Sequence, residues 1–335
     1  MKLDEFIKFN PKESLSKGKC FKCVDMASLK PFTRKPDHFI SIYKNGSKFR
    51  NGDTIMARIT PCLENGKTSY INFLQQNEVA FGSTEFIVAR AKTNVSLPLF
   101  IYYLLCSNRI REIAIGSMTG SSGRERVQQI SLNEIEIPAY SISFQQHIVD
   151  IIGTIDDLIE NLQSQSINLI KIISHKVAIF ENNNVGNRFS NCFRCYNGFA
   201  FKSSDYTPSG NWKVITIKNV NDDGFDSTSS SKIEMKDDYV PFKLNIGDIV
   251  LTMTGNVGRV GVVDDHNCLL NQRVLKIMCC SPSYLLGYLI THKNEIARFG
   301  KANDDLYAEL VLLKMKIRKL RDMKKALLSK YFSSN

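Results

Sequence analysis

Asn51-Gly52-Asp53-Thr54-Ile55-Met56 returns 195 residues later as Ile246-Gly247-Asp248-Ile249-Val250-Leu251. Outward from that echo the match continues in the same order. Thr84-Glu85-Phe86-Ile87-Val88 sits over Gln272-Arg273-Val274-Leu275-Lys276 at an offset of 188, and Pro98 through Gly116 over Pro282 through Gly300 at 184. Asp156-Asp157-Leu158 lies over Asp304-Asp305-Leu306 at 148. Ordered matches of this kind imply an internal duplication. The falling offset locates what the second copy lacks. Gly116 precedes Asp156 by 40 residues but Gly300 precedes Asp304 by 4, so most of Ser117–Ile155 has no counterpart.

Around each echo lie short β-type runs punctuated by Asn-Gly, Gly-Asp and Asp-Gly turns. Each β region leads into a helix opened by Pro98 or Pro282, where a missing N–H costs nothing, and closed at Gly116 or Gly300. Two longer helices follow. Ser143-Phe144-Gln145-Gln146 has the form of a capping box for the first. Its seam is expected at Leu158, Leu162, Leu169, Ile172 and Ile179, interrupted by Gln165 and Lys176. The second carries Leu306, Leu310, Leu313, Ile317, Leu320 and Leu327, broken by Lys324. Stripes this narrow suit a coiled coil, and two in one chain most simply pair with each other, antiparallel. The expected fold is therefore α+β: two tandem β-rich domains, each followed by a long helix, with the second repeat shortened. The expected boundaries are 1–142, 143–181, 182–302 and 303–332.

A length of 335 residues accommodates about two such domains. No apolar run approaches the roughly 20 residues of a membrane span, and the amino terminus has no signal-type core. A cytoplasmic protein with no membrane partner is expected. Nine cysteines, an odd count, do not make a secreted disulfide framework. The pairs Cys20/Cys23 and Cys192/Cys195 have zinc-type spacing but no supporting histidine, so idle thiols and no metal are the better reading. The net charge of +11 favours an acidic partner, nucleic acid first. Between Glu309 and Lys330 lie eight Lys/Arg against two acids. A solvated helix face would account for that stretch equally well.

Catalytic signatures are scarce. Gly66-Lys67-Thr68 resembles the end of a phosphate loop but lacks the required earlier glycine, where Pro61 stands. Asp226, Glu234 and Lys236 have the outline of a nuclease set within a polar, Ser-rich loop. No base-methylation motif is present, so a binding protein is expected over an enzyme. Candidate contacts are Lys48, Arg50, Arg58 and Lys67 around the first hairpin. In the second copy they are Thr254, Asn256 and Arg259 in a Gly-containing loop, followed by Asn271, Gln272 and Arg273. Arg, Asn and Gln can make bidentate bonds to guanine and adenine edges, while Lys mainly meets phosphate. Each could equally be an ordinary polar residue of a hairpin. The Gly116–Arg126 segment, with Ser121, Arg124 and Arg126, offers backbone donors and mobility suited to wrapping a phosphate chain.

Several stretches resemble the specificity subunits of type I restriction–modification systems. They are Phe9-Asn10-Pro11-Lys12-Glu13-Ser14, the run from Lys48 to Lys67, Phe81-Gly82-Ser83-Thr84-Glu85-Phe86-Ile87-Val88, and Ile135-Glu136-Ile137-Pro138 with Phe144-Gln145-Gln146. In the second half they are Asn197 through Tyr206 and Leu270-Asn271-Gln272-Arg273. The resemblance covers nearly the whole chain and adds Ser83, Thr84 and Lys202 to the expected DNA contacts. It implies two target-recognition domains, each reading half of a bipartite site in double-stranded DNA, with the paired helices as a spacer. It further implies two modification (methyltransferase) subunits as partners, with restriction subunits as an optional addition. No cofactor is then bound by this chain, since S-adenosylmethionine would sit on the modification subunits.

The shortened second copy departs from the family's pattern. The missing segment would supply the arginine loop, a last strand and the start of the helix. That leaves recognition by the second domain in question and the first as the expected source of most sequence discrimination. The alternative is a scaffold or decoy that binds modification subunits without specific DNA reading in its second half.

Overall fold

Eight strands and four helices precede the first long helix: α1 (Leu3–Phe6), β1 (Ile7–Phe9), β2 (Cys20–Val24), β3 (Phe39–Ile42), β4 (Ser47–Phe49), β5 (Asp53–Ala57), β6 (Thr68–Tyr70), β7 (Ala80–Gly82), β8 (Phe86–Ala91), α2 (Pro98–Cys106), α3 (Asn108–Gly116) and α4 (Gln129–Asn133). The long helix α5 covers Ile142–Asn183. Then come β9 (Phe193–Asn197), β10 (Trp212–Ile215), β11 (Val220–Asn221), β12 (Gly224–Phe225), β13 (Ser231–Ile233), β14 (Lys243–Leu244), β15 (Ile249–Thr252), β16 (Val260–Val262), β17 (Cys268–Leu270), β18 (Val274–Cys279), α6 (Pro282–Thr291) and the second long helix α7 (Asp304–Phe332). The computed structural model describes residues 1–121, 123–183, 193–254, 258–291 and 304–332, with 176–183 and 304–309 described by backbone alone.

The duplication is visible strand by strand. The first half holds sheets ordered β1-β8-β5-β6 and β3-β2-β7-β4; the second holds β9-β18-β15-β16 and β13-β10-β17-β14. These are the same two arrangements. In each half one central pair is parallel, β2 with β7 and β10 with β17, and the other pairs of the four sheets are antiparallel. The register agrees as well. Thr54 faces Ala89 and Ile249 faces Ile277, as the offsets of 195 and 188 require.

Charge pairs inside the sheets repeat too. Asp53 accepts from the Arg50 amide at 2.9 Å and from both ends of the Arg90 fork at 2.6 and 2.7 Å. Asp248 accepts from the Asn245 amide at 2.7 Å and pairs with Lys276 at 2.7 Å. The carboxylate keeps its place, while its base has moved two residues along the strand and so stays on the same face. Lys22 with Glu78 has its echo in Lys213 with Asp265.

By compactness the chain divides into one unit of Met1–Leu158 with Arg321–Asn335 and another of Ile159–Leu320. The division cuts across both long helices, so each unit holds part of each. The core of the first unit gathers Leu3, Phe6 and Ile7 with α2, whose residues from Phe100 to Cys106 are all buried, and with Ile148, Ile152, Leu328 and Phe332 from the long helices. A helix apolar on every side has to lie inside. A second cluster of the first unit, with Val24, Ile55, Phe86 and Val88, packs between strands, and in the second unit Ile215, Val250, Leu270 and Val274 form its equivalent.

Two expectations about the helices need correction, and a third falls on residues that are not described. The Pro98–Gly116 helix is two helices, because the Ser107 side chain takes the Ile110 amide and caps a new one. Gly300 lies outside the described residues. The long helix opens on Ser141, whose hydroxyl accepts from the Phe144 amide at 3.2 Å, two residues earlier than the expected capping box. Gln145, fully buried, instead pins the chain before α2 by accepting from the Leu97 amide at 2.8 Å and donating to the Val95 and Tyr140 carbonyls at 2.9 Å.

The buried stripe of α5 is Ile148, Ile152, Ile155, Ile159, Leu162, Ser166, Leu169 and Ile173. Its 4-3 spacing retains Leu162 and Leu169 from the expected seam. Leu158 and Ile172 fall off it, 44% and 45% exposed, each displaced by the isoleucine that follows. In α7 the stripe runs through Leu310, Leu313, Ile317, half-buried Leu320, Lys324 and Leu328; the Leu306 side chain is outside the described residues. Leu327 is only half-buried, and Lys324, expected to break the seam, lies within it. Within the first unit, Phe144 and His147 meet Tyr331 while Asp156 meets Lys324. As α5 advances, the facing residue of α7 recedes, so these two stretches run antiparallel.

Candidate nucleic-acid interface

A short turn joins the two sheets of the first unit between β7 and β8. The Ser83 hydroxyl accepts from the Glu85 amide at 3.1 Å, a local bond that sets the turn. Alongside it the Arg58 amide donates to the Glu85 carbonyl at 3.0 Å, and the Val127 amide to the Arg58 carbonyl at 2.9 Å. Thr60 donates to the Glu125 carbonyl at 3.0 Å, while Thr119 and Arg126 exchange both backbone bonds at 3.1 and 2.9 Å. The segment expected to wrap a phosphate chain loosely is thus hydrogen-bonded at its end into a ladder of three parts. Its tip at Ser121 and Arg124 is exposed, the Arg124 amide donating to the Ser121 carbonyl at 2.9 Å.

The Arg126 guanidinium forks onto Glu85, with Nε at 3.0 Å from both carboxylate oxygens and Nη2 at 2.8 Å. Its remaining arm donates to the Arg124 carbonyl at 3.0 Å. Those hydrogen bonds from Arg126, with its charge and that of Arg58, hold the Glu85 carboxyl below the usual range despite partial burial. Arg58 stands half-buried beside them, its Nε without a hydrogen-bond partner among the described residues. Arg58, Ser83, exposed Thr84, Arg124 and Arg126 are therefore brought together. Glu85→Ala is expected to release the end of the segment. Limited proteolysis should then cut between residues 117 and 126 several-fold faster than in wild type, and an unchanged rate would show that the backbone ladder suffices.

The other first-half candidates lie apart from this turn. Lys48 donates to the Glu13 carbonyl at 3.0 Å and stands over the Tyr43 ring, Arg50 lies 3.5 Å from the Glu13 carboxylate, and Lys67 donates to the Met26 carbonyl at 2.7 Å. Long basic side chains on a hairpin can reach back to neighbouring acceptors, which their clustering in sequence does not show. Tethering Lys67 in this way also accounts for the phosphate-loop look-alike.

The second unit repeats the turn. The Asn271 side chain accepts from the Arg273 amide at 3.2 Å, and the Met253 amide donates to the Arg273 carbonyl at 3.1 Å. These are the places of Ser83, Glu85 and Arg58. Asn271 and Gln272 also donate from the backbone to the Ile215 and Phe199 carbonyls at 3.1 and 3.0 Å, leaving the Gln272 and Arg273 side chains exposed. Gly198 permits this approach, since a Cβ there would come within 2.3 Å of the Asn271 carbonyl group. Gly198→Ala is expected to displace the Asn271–Arg273 turn and reduce DNA affinity about tenfold, measured by fluorescence anisotropy, given about 1–3 kcal/mol per lost base contact. Affinity within twofold of wild type would show the turn to be unimportant.

Arg259 is held by Asp222 at 2.7 Å, whereas Thr254 and Lys202 are exposed and Asn256 lies outside the described residues. Lys236 pairs with Asp205 at 2.9 Å and Asp226 accepts from the Thr228 amide, so two of the three nuclease-like residues have local structural partners. No group of three or more His, Cys, Asp or Glu side chains that could hold a metal occurs among the described residues. No helix among them is long and apolar enough to cross a membrane. Sequence reasoning missed the carboxylates Glu13, Glu85 and Asp222. For Glu85 a signal existed, because the duplication sets it opposite an arginine.

A family model described as the type I restriction modification DNA specificity domain matches residues 1–171. Two curated relatives from Escherichia coli are the specificity subunits of the type I restriction enzymes EcoAI, 29% identical over 126 residues, and EcoEI, 32% identical over 129. Each match takes in 38% of this chain but only 21% of the relative's length. Among solved structures, the HsdS subunit from Thermoanaerobacter tengcongensis aligns with 94% of this chain and 90% of its own at 16% identity and a TM-score of 0.39. The type I restriction-modification S subunit from M. genitalium aligns with 99% and 92% at 13% identity and 0.43.

Proposed function

Since the chain belongs to the type I restriction modification DNA specificity family, we propose that it is the sequence-recognition subunit of such a complex, each unit reading one part of a bipartite site in double-stranded DNA. The observation that carries this reading is the duplicated turn. Two units with the same sheet order and register offer an exposed polar surface at the same place, Ser83–Glu85 in one and Asn271–Arg273 in the other. Two equivalent readers suit two half-sites. The net charge of +11 favours the phosphate backbone, while the arginine forks and amides of the turns suit base edges.

The chain itself performs no covalent step in this account. Its long helices, paired antiparallel, space the two readers and dock two modification subunits. Those subunits would bind S-adenosylmethionine and methylate adenine at N6, and restriction subunits add to the same core. The test is selection from a pool of randomised duplexes by the chain assembled with its modification subunits. Two conserved blocks at a fixed separation are expected. Recovery of sequences with no shared block would overturn the reading.

A further inference from the structure

The two units carry opposite charges at one position of the same turn. Backbone register and hydrogen bonding equate Glu85 with Arg273, since each gives its carbonyl to the matching amide, Arg58 or Met253, at 3.0 and 3.1 Å. In the first unit the carboxylate is consumed by Arg126, which arrives on the segment after Gly116. Among the described residues the exposed cation without a side-chain partner there is Arg124, whose carbonyl Arg126 also holds, while Arg58 stands half-buried beside it with its Nε unbonded. The second copy has no counterpart to that segment. A carboxylate at 273 would have no arginine to receive and would set a bare negative charge against a polyanion. The sequence has an arginine there instead. Its backbone is fixed at both the amide and the carbonyl, its side chain is exposed, and no side-chain partner meets it among the described residues.

We propose that Arg273 is the specificity-determining residue of the second unit, reading a guanine edge in the major groove with its forked guanidinium. It does directly what Glu85 and Arg126 do for Arg124 in the first unit, presenting an exposed guanidinium at the turn. The shortened second half is on this account a complete reader. The inference rests on the DNA-recognition reading above.

The experiment is duplex selection by the full chain with its modification subunits, comparing wild type, Arg273→Ala, Arg273→Lys and Arg124→Ala. Arg273→Ala is expected to lose one guanine preference in one block, by about 10- to 100-fold, and leave the other block intact. Arg273→Lys keeps the charge without the planar fork; it should hold affinity for random-sequence DNA within about twofold and lose the same guanine. Arg124→Ala should degrade only the other block. The inference is overturned if Arg273→Ala leaves both blocks unchanged or weakens them equally, or if Arg273→Lys retains the guanine. A wild-type chain selecting one block only overturns it while sparing recognition by the first unit. Selection of no block at all overturns the DNA-recognition reading itself.

Discussion

Lys324→Met is expected to destabilise the chain by about 3–5 kcal/mol, seen as a lowered urea midpoint, because it strands a buried carboxylate. Asp156 and Lys324 are 4% and 6% exposed. The ammonium donates to both Asp156 oxygens at 2.6 and 2.8 Å and lies over the Tyr102 and Tyr103 rings at 5.2 and 5.7 Å, while the Tyr103 hydroxyl donates to Asp156 at 3.0 Å. After the substitution only that hydroxyl remains, among the described residues, as a side-chain donor to the charge. The double variant Asp156→Leu with Lys324→Met removes both ions and should recover most of the loss, since a buried pair gains little net over well-packed apolar groups. A single variant within about 1 kcal/mol of wild type would contradict the account. The pair also discriminates between alignments of the two helices. A slip of one heptad would set each charge against apolar neighbours.

Arg318→Ala should cost somewhat less, about 2–3 kcal/mol, because the guanidinium is partly open to water. It ties α7 to two connections between the second unit's strands, donating to Asp265 at 2.9 Å, to Ser227 at 3.1 Å and to Asp264. Burial alone would raise the Asp265 carboxyl, but bonds from Lys213 and Ser227 and the Arg318 charge outweigh it and hold the group below its ordinary value. A carboxyl depressed in the folded state contributes fully above its unfolded pKa of about 3.9 and loses that contribution as pH falls through the folded value. Asp265→Asn should therefore lower the urea midpoint most at about pH 6, with the difference from wild type shrinking below about pH 4. A difference independent of pH would show that the charge of Asp265 is not what matters.

The duplication was legible because it leaves a signal along one chain. Asp53 and Asp248 close the same turn, and the pairing of Thr54 with Ala89 recurs as that of Ile249 with Ile277, in keeping with the two offsets. The helix seam was legible only to within one residue. Leu158 stands beside Ile159 and Ile172 beside Ile173, so two stripes fit the same apolar pattern and only packing chooses between them. Lys324 looked like an interruption because its partner lies 168 residues away. The same limit applies to the candidate contacts. Lys48 and Lys67 resemble free cations until the carbonyls of Glu13 and Met26 appear beside them. Arg126 looked available until Glu85 claimed it.

The central claim is that two equivalent readers sit in one chain, and a methylation map tests it most directly. The chain is expressed with its modification subunit in a host lacking DNA methylation, and N6-methyladenine is located across the genome. The account predicts methylation within a bipartite, asymmetric motif whose two blocks are separated by a fixed gap. A stable complex that leaves no sequence motif, or one that marks only a single uninterrupted half-site, would contradict it.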